Sequence, residues 1–149
     1  MGIVSLYRNG KLKVWPDLLD RSYDDKAAPD LGEVVGGAGD PLYSDPAQFF
    51  ARTYLTRQME DLIGEVADAL KNRAGGSVFI LTSLYGGGKT HTLITLHHAF
   101  SKPGALAKVN EGLAARVAEV KPLIVVIDGT RSSTAPNPRE PCSIGGFTI

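Results

Sequence analysis

Residues 77–90 constrain what this chain can fold into more than any other stretch. The apolar run Ser77-Val78-Phe79-Ile80-Leu81-Thr82 reads as a buried strand, Ser83-Leu84-Tyr85-Gly86-Gly87-Gly88-Lys89-Thr90 as a turn, and His91 to Phe100 as a helix. Three consecutive glycines let a main chain approach a ligand in dihedrals that other residues avoid, and the N–H groups at a helix start attract anions. A lysine at the mouth of such a turn adds a mobile positive charge, and a neighbouring threonine hydroxyl suits Mg²⁺. Strand, glycine turn, Lys-Thr and helix, in that order, are the setting of a phosphate-binding P-loop. Gly86, Gly87 and Gly88 are expected to cradle a polyphosphate through backbone N–H groups, Lys89 to reach the β/γ-phosphates, Thr90 to hold Mg²⁺, and His91 to touch phosphate or base. The strict spacing asks for glycine at position 83, where this chain has Ser83, so the reading rests on Gly-Gly-Gly-Lys-Thr and its flanks. No Asn-Lys-x-Asp string of the GTP-reading type occurs, which favours ATP.

A second apolar run, Leu123-Ile124-Val125-Val126-Ile127, leads into Asp128-Gly129-Thr130 and follows an expected helix around Leu113 to Val120. Asp128 stands where a Walker B aspartate would hold the Mg²⁺ shell. Against that role, it follows Lys89 by only 39 residues, and Gly129 occupies the place where many ATPases carry a catalytic glutamate. The alternative is that Asp128 simply ends the next strand. The expected fold class is therefore α/β: a parallel sheet with flanking helices, incomplete at its carboxyl side. His91, His97 and His98 have no carboxylate partner in the pattern, so packed histidines are expected there and not a metal site.

Upstream, Ile3 to Tyr7 and Leu12 to Trp15 are β-prone runs around Asn9-Gly10, a dipeptide that suits a type I′ turn and predicts a short hairpin. From Pro16 to Asp45 the chain is rich in Asp, Pro and Gly and is expected to hold one short helix at most. Asp45-Pro46 then opens a helix that buries Phe49 and Phe50. Thr56 caps a longer one, in which Met59, Leu62, Ile63, Val66, Ala67 and Leu70 recur on one face and Ala74-Gly75-Gly76 ends the run. The expected organisation is a lead-in over 1–44, a partial nucleotide-binding core over 45–130 and a loop-like tail over 131–149.

The 149 residues carry 16 basic and 16 acidic side chains, so a wholly basic nucleic-acid-binding surface is excluded. The charge is uneven, with eight acidic and two basic residues from Asp17 to Asp45 but nine basic and three acidic from Lys71 to Arg139. Cys142 is the single cysteine, which permits no internal disulfide and suits a reducing compartment. No run approaches the roughly 18–20 apolar residues that span a bilayer, and the amino terminus has no apolar signal segment, so the expected location is cytoplasmic.

The strings Tyr43-Ser44-Asp45-Pro46, Phe49 to Thr56 and Leu81 to Leu93, sharpest at Gly-Gly-Gly-Lys-Thr-His-Thr, resemble the start of the large prokaryotic AAA+-like ATPases catalogued as domain of unknown function four hundred ninety-nine. The resemblance covers roughly Leu31 to Thr130. It implies Mg²⁺-dependent ATP binding, with hydrolysis by a longer parent protein whose true Walker B acid lies downstream, which lowers the case for Asp128. It also implies work beside DNA methyltransferases or on DNA in phage-defence loci; an oligomer is left open by the sequence. A rival expectation is a nucleotide-responsive binding module without turnover; a third is a truncated remnant without function.

Overall fold

In the computed structural model of the chain, residues 2–14, 19–21, 29–72, 78–84 and 86–127 are described. Their regular elements are helices: α1 (Ile3–Arg8), α2 (Leu31–Val35), α3 (Pro41–Ser44), α4 (Pro46–Arg52), α5 (Arg57–Lys71), α6 (Lys89–Ser101), α7 (Pro103–Leu106) and α8 (Glu111–Ala118). Among the described residues there is no strand, so the expected α/β core with a parallel sheet is overturned.

Local chemistry places most helix starts. A helix leaves its first N–H groups without intrahelical partners, and a side-chain oxygen at the cap satisfies one of them. Asp30 accepts from Glu33 N at 2.9 Å, Asp40 from Leu42 N at 3.0 Å, Thr56 from Met59 N at 3.3 Å and Asn110 from Leu113 N at 3.0 Å. Asp45 accepts from both Ala47 N (2.7 Å) and Gln48 N (3.2 Å), and these bonds to its charged form hold its carboxyl below the usual carboxylate range. Proline stands at the start of α3, α4 and α7, where its missing N–H costs nothing.

Two differences from the sequence reading follow from the same chemistry. Ile3 to Arg8 is helical where a hairpin strand was expected, because Asn9-Gly10 is used as a helix stop. Gly10 takes φ +65°, its N–H reaches Tyr7 O at 3.0 Å, and Lys11 N reaches Leu6 O at 3.0 Å, the paired bonds of a Schellman motif. The same left-handed preference that makes Asn-Gly a hairpin turn serves here to end a helix. The acidic lead-in, expected to hold one short helix at most, holds both α2 and α3, each opened by an aspartate cap.

The two expected strands differ more deeply. Residues 78–84 and Leu123 to Ile127 are neither helix nor strand, and most of their apolar side chains face solvent. Strand propensity describes fit to a pleated, half-buried surface, and without a neighbouring ladder it stabilises nothing. Neither run has a ladder partner among the described residues.

The core is instead made between helices. Val34, Phe49, Phe50, Leu55, Ile63, Ala67, Ile94, Ala99, Leu106, Leu113, Ala114 and Val117 form one cluster drawn from α2, α4, α5, α6, α7, α8 and the 53–56 connection. Helix α8 packs on α5 at Gly64, where a Cβ would lie 3.0 Å from the Arg116 guanidinium. That guanidinium also pairs with Asp68 at 2.8 Å. Helix α6 lies centrally, with Ile94, Thr95, His98 and Ala99 buried, and so presents its amino terminus and the glycine turn from a fixed support. Among the described residues no helix is long and apolar enough to cross a membrane.

Candidate functional site

The glycine turn delivers the backbone its sequence demands. Gly86 and Gly88 take φ +77° and +76°, a region that costs an L-residue about 1–2 kcal/mol. Between them Gly87 is closed to any larger residue, since a Cβ there would lie 2.6 Å from Ser83 Cβ and against its hydroxyl. Ser83, the departure from the strict glycine spacing, is thus the residue against which Gly87 packs. Gly87 N donates to Leu84 O at 3.1 Å and closes the turn.

Helix α6 begins at Lys89, the first residue of the Lys-Thr pair, and its cap Gly88 has no side chain to offer the first N–H groups. Those groups, with the helix dipole, are suited to an external anion. Lys89 Nζ folds back over the turn and donates to Ser83 O at 2.9 Å, Ser83 Oγ at 3.1 Å and Leu84 O at 3.1 Å. An ammonium has three protons, and all three are met by oxygens of the turn itself. Thr90 follows, exposed, on the first turn of α6.

Beside the turn lies a cleft of about 400 Å³, lined by Thr56, Gln58, Met59 and Leu62 of the α5 start, by Leu81 to Ser83, and by Gly87, Gly88, Lys89, His91 and Thr92. Its size is within the range of small-molecule sites, and it combines an apolar wall with a few polar groups at one end. A comparable cavity of about 420 Å³ lies between α5, α6 and Leu123 to Ile127, but its lining is apolar apart from His97 and offers no charge for a ligand. Of these two, the first cleft is the one that carries polar groups and a lysine.

Of the residues expected at the site, Gly86, Gly87, Gly88, Lys89 and Thr90 are together at the turn. His91 lines the cleft, yet its Nε2 is 3.3 Å from Thr53 Oγ1 and its ring is 4.8 Å from that of Phe49. Burial holds its basicity below that of an ordinary histidine. Asp128 lies outside the described residues. Reasoning from sequence missed Thr56 and Gln58, which line the cleft, and Thr53, which meets His91 at its wall; the Thr56 cap is the one signal that could have drawn attention to them.

The other two histidines of α6 are structural. His98, 2% exposed, sets Nε2 2.6 Å from Tyr43 O. A carbonyl only accepts, so Nε2 carries the proton, while Nδ1 is buried with no partner among the described residues. His97 is held less basic than usual by burial and by the neighbouring His98. Among the described residues no three His, Cys, Asp or Glu side chains gather as a metal site.

No curated protein and no solved structure matches the chain. One family does, the DUF499 N-terminal domain, and the match runs over residues 7–149. It takes in α2 to α8 and the whole glycine turn, so the candidate site lies wholly inside the matched region. The chain belongs to the DUF499 N-terminal domain family.

Proposed function

We propose that this chain binds Mg-ATP, with the polyphosphate held by residues 83–90 at the start of α6. The observation that carries the reading is Lys89: its ammonium lies over a turn with two left-handed glycines and donates to three oxygens of that turn. Those oxygens do for the lysine what phosphate oxygens would do, and an arriving polyphosphate can take them over at little cost. Gly86 to Gly88 and the first N–H groups of α6 then face the phosphates, Thr90 supplies a hydroxyl to Mg²⁺, and the cleft toward Met59 and Leu62 receives the remainder of the nucleotide.

The cleft's described lining holds no carboxylate, and the one imidazole there is engaged with Thr53. Water activation needs a group to orient the nucleophile. This favours nucleotide binding without turnover by these residues, a switch whose state is read by a partner. In the setting that the family resemblance implies, that partner is DNA or a DNA methyltransferase, and the excess of basic residues after Lys71 suits a polyanion.

Isothermal titration of the chain with Mg-ATP, beside Lys89→Ala, tests the reading. A saturable isotherm lost in the variant is expected. Equal heats for both proteins would refute it.

A further inference from the structure

His91 joins two parts of the molecule that no sequence feature connects. It is the third residue of α6, two positions after Lys89, and it lines the cleft. Its ring packs on Phe49 of α4 at 4.8 Å, and Nε2 meets the hydroxyl of Thr53, the residue that ends α4, at 3.3 Å. Thr53 is 8% exposed, so its hydroxyl needs a protein partner, and His91 is that partner. The far end of α6 is tied to the lead-in as well, through His98 and Tyr43 O. The near end, which carries Lys89 and Thr90, follows a glycine cap with no side-chain bond. The Thr53 bond, beside the packing of the His91 ring on Phe49, ties the first turn of α6 to α4.

We infer that Thr53 and His91 form a positioning pair that holds the first turn of α6 against α4, and so sets Lys89 and Thr90 for the phosphates. The inference rests on the nucleotide reading above. His91 acts through its neighbours: its Nε2 points at Thr53, and its ring at Phe49. A wall residue of the cleft thereby links nucleotide occupancy to α4, since a ligand that draws Lys89 toward itself also pulls on the His91–Thr53 contact.

The test is a double-mutant cycle on Mg-ATP affinity with the whole chain, under conditions where circular dichroism shows every variant folded. Thr53→Val removes the hydroxyl at constant shape, and His91→Phe removes the ring nitrogen while keeping the ring against Phe49. Each single change is expected to weaken binding about tenfold, the worth of one such hydrogen bond, and the double variant no more than the worse single one. In the wild type the His91 Cε1–H resonance is expected to shift on addition of Mg-ATP, and to lose most of that shift in Thr53→Val. A merely structural role would lower thermal stability but leave affinity and the resonance unchanged. Single variants within about twofold of wild type, or losses that multiply in the double variant, overturn the positioning pair. If the wild type binds and Lys89→Ala does not while both His91 and Thr53 variants bind normally, only this inference fails. If the wild type itself does not bind, both readings fall.

Discussion

The replacement of a sheet by helix packing can be tested with four alanine substitutions. Ile94 is fully buried at the middle of α6, within the core cluster. Cutting a buried isoleucine to alanine removes its transfer free energy and leaves a cavity, so Ile94→Ala is expected to cost about 2–5 kcal/mol. Ile80, Leu123 and Ile127 would be equally costly as centres of buried strands. In the structure they are 79%, 88% and 75% exposed. Only a tenth to a quarter of each side chain leaves water, and a fully buried Leu or Ile gains roughly 2 kcal/mol, so each alanine change there is expected to cost about 0.5 kcal/mol or less. Urea unfolding followed by circular dichroism separates the two cases, provided the slope m is the same for all variants. If Leu123→Ala or Ile127→Ala falls beside Ile94→Ala, the exposed placement of these runs is wrong and the strand reading returns.

Other expectations concern caps, glycines and pH. Asn110 caps α8 and also donates from Nδ2 to Glu60 Oε1 at 2.8 Å, so Asn110→Ala is expected to cost about 1–2 kcal/mol in urea unfolding, while Asn110→Asp keeps the cap and loses the donor. An alanine is strained at the positive φ of Gly86 and Gly88, so in Gly86→Ala and Gly88→Ala the exposed turn is expected to relax, and Mg-ATP, which needs its original shape, to bind about 1–2 kcal/mol more weakly with little change in the unfolding midpoint. Binding unaffected by both changes would show that the turn geometry is not used. Burial depresses His91 and His97 below the unfolded value of 6.5, so between that value and their folded values the unfolded chain binds more protons. Their contribution is fully present above about pH 6.5 and is lost as pH falls through the folded values. Stability that stays flat from neutral to mildly acid pH, or rises on acidification, contradicts this.

Much of the helical part was legible from local chemistry. Asp45-Pro46, the Thr56 cap and the face from Met59 to Leu70 place α4 and α5, and the helix after the glycines begins two residues earlier than its apolar pattern suggests, because Lys89 and Thr90 already have helical backbone. What was not legible depends on partners. Val78 to Leu81 and Leu123 to Ile127 have the composition of buried strands, but composition cannot supply the ladder that makes a strand. Asn9-Gly10 fixes a left-handed residue without saying whether a hairpin or a helix end uses it. At the site, the glycines, Lys89 and Thr90 can be named from their spacing, whereas Thr53 lies 38 residues from His91 and carries no local sign of that contact.

Phosphate held by the turn at residues 86–89 would be felt first by the turn's own amides. In a ¹H–¹⁵N correlation spectrum of the chain, titration with Mg-ATP is expected to shift the N–H resonances of Gly86, Gly87, Gly88 and Lys89 saturably. Those shifts should be absent in Lys89→Ala. Unchanged glycine amides, or saturable shifts confined to other parts of the chain, would contradict a phosphate site at the start of α6.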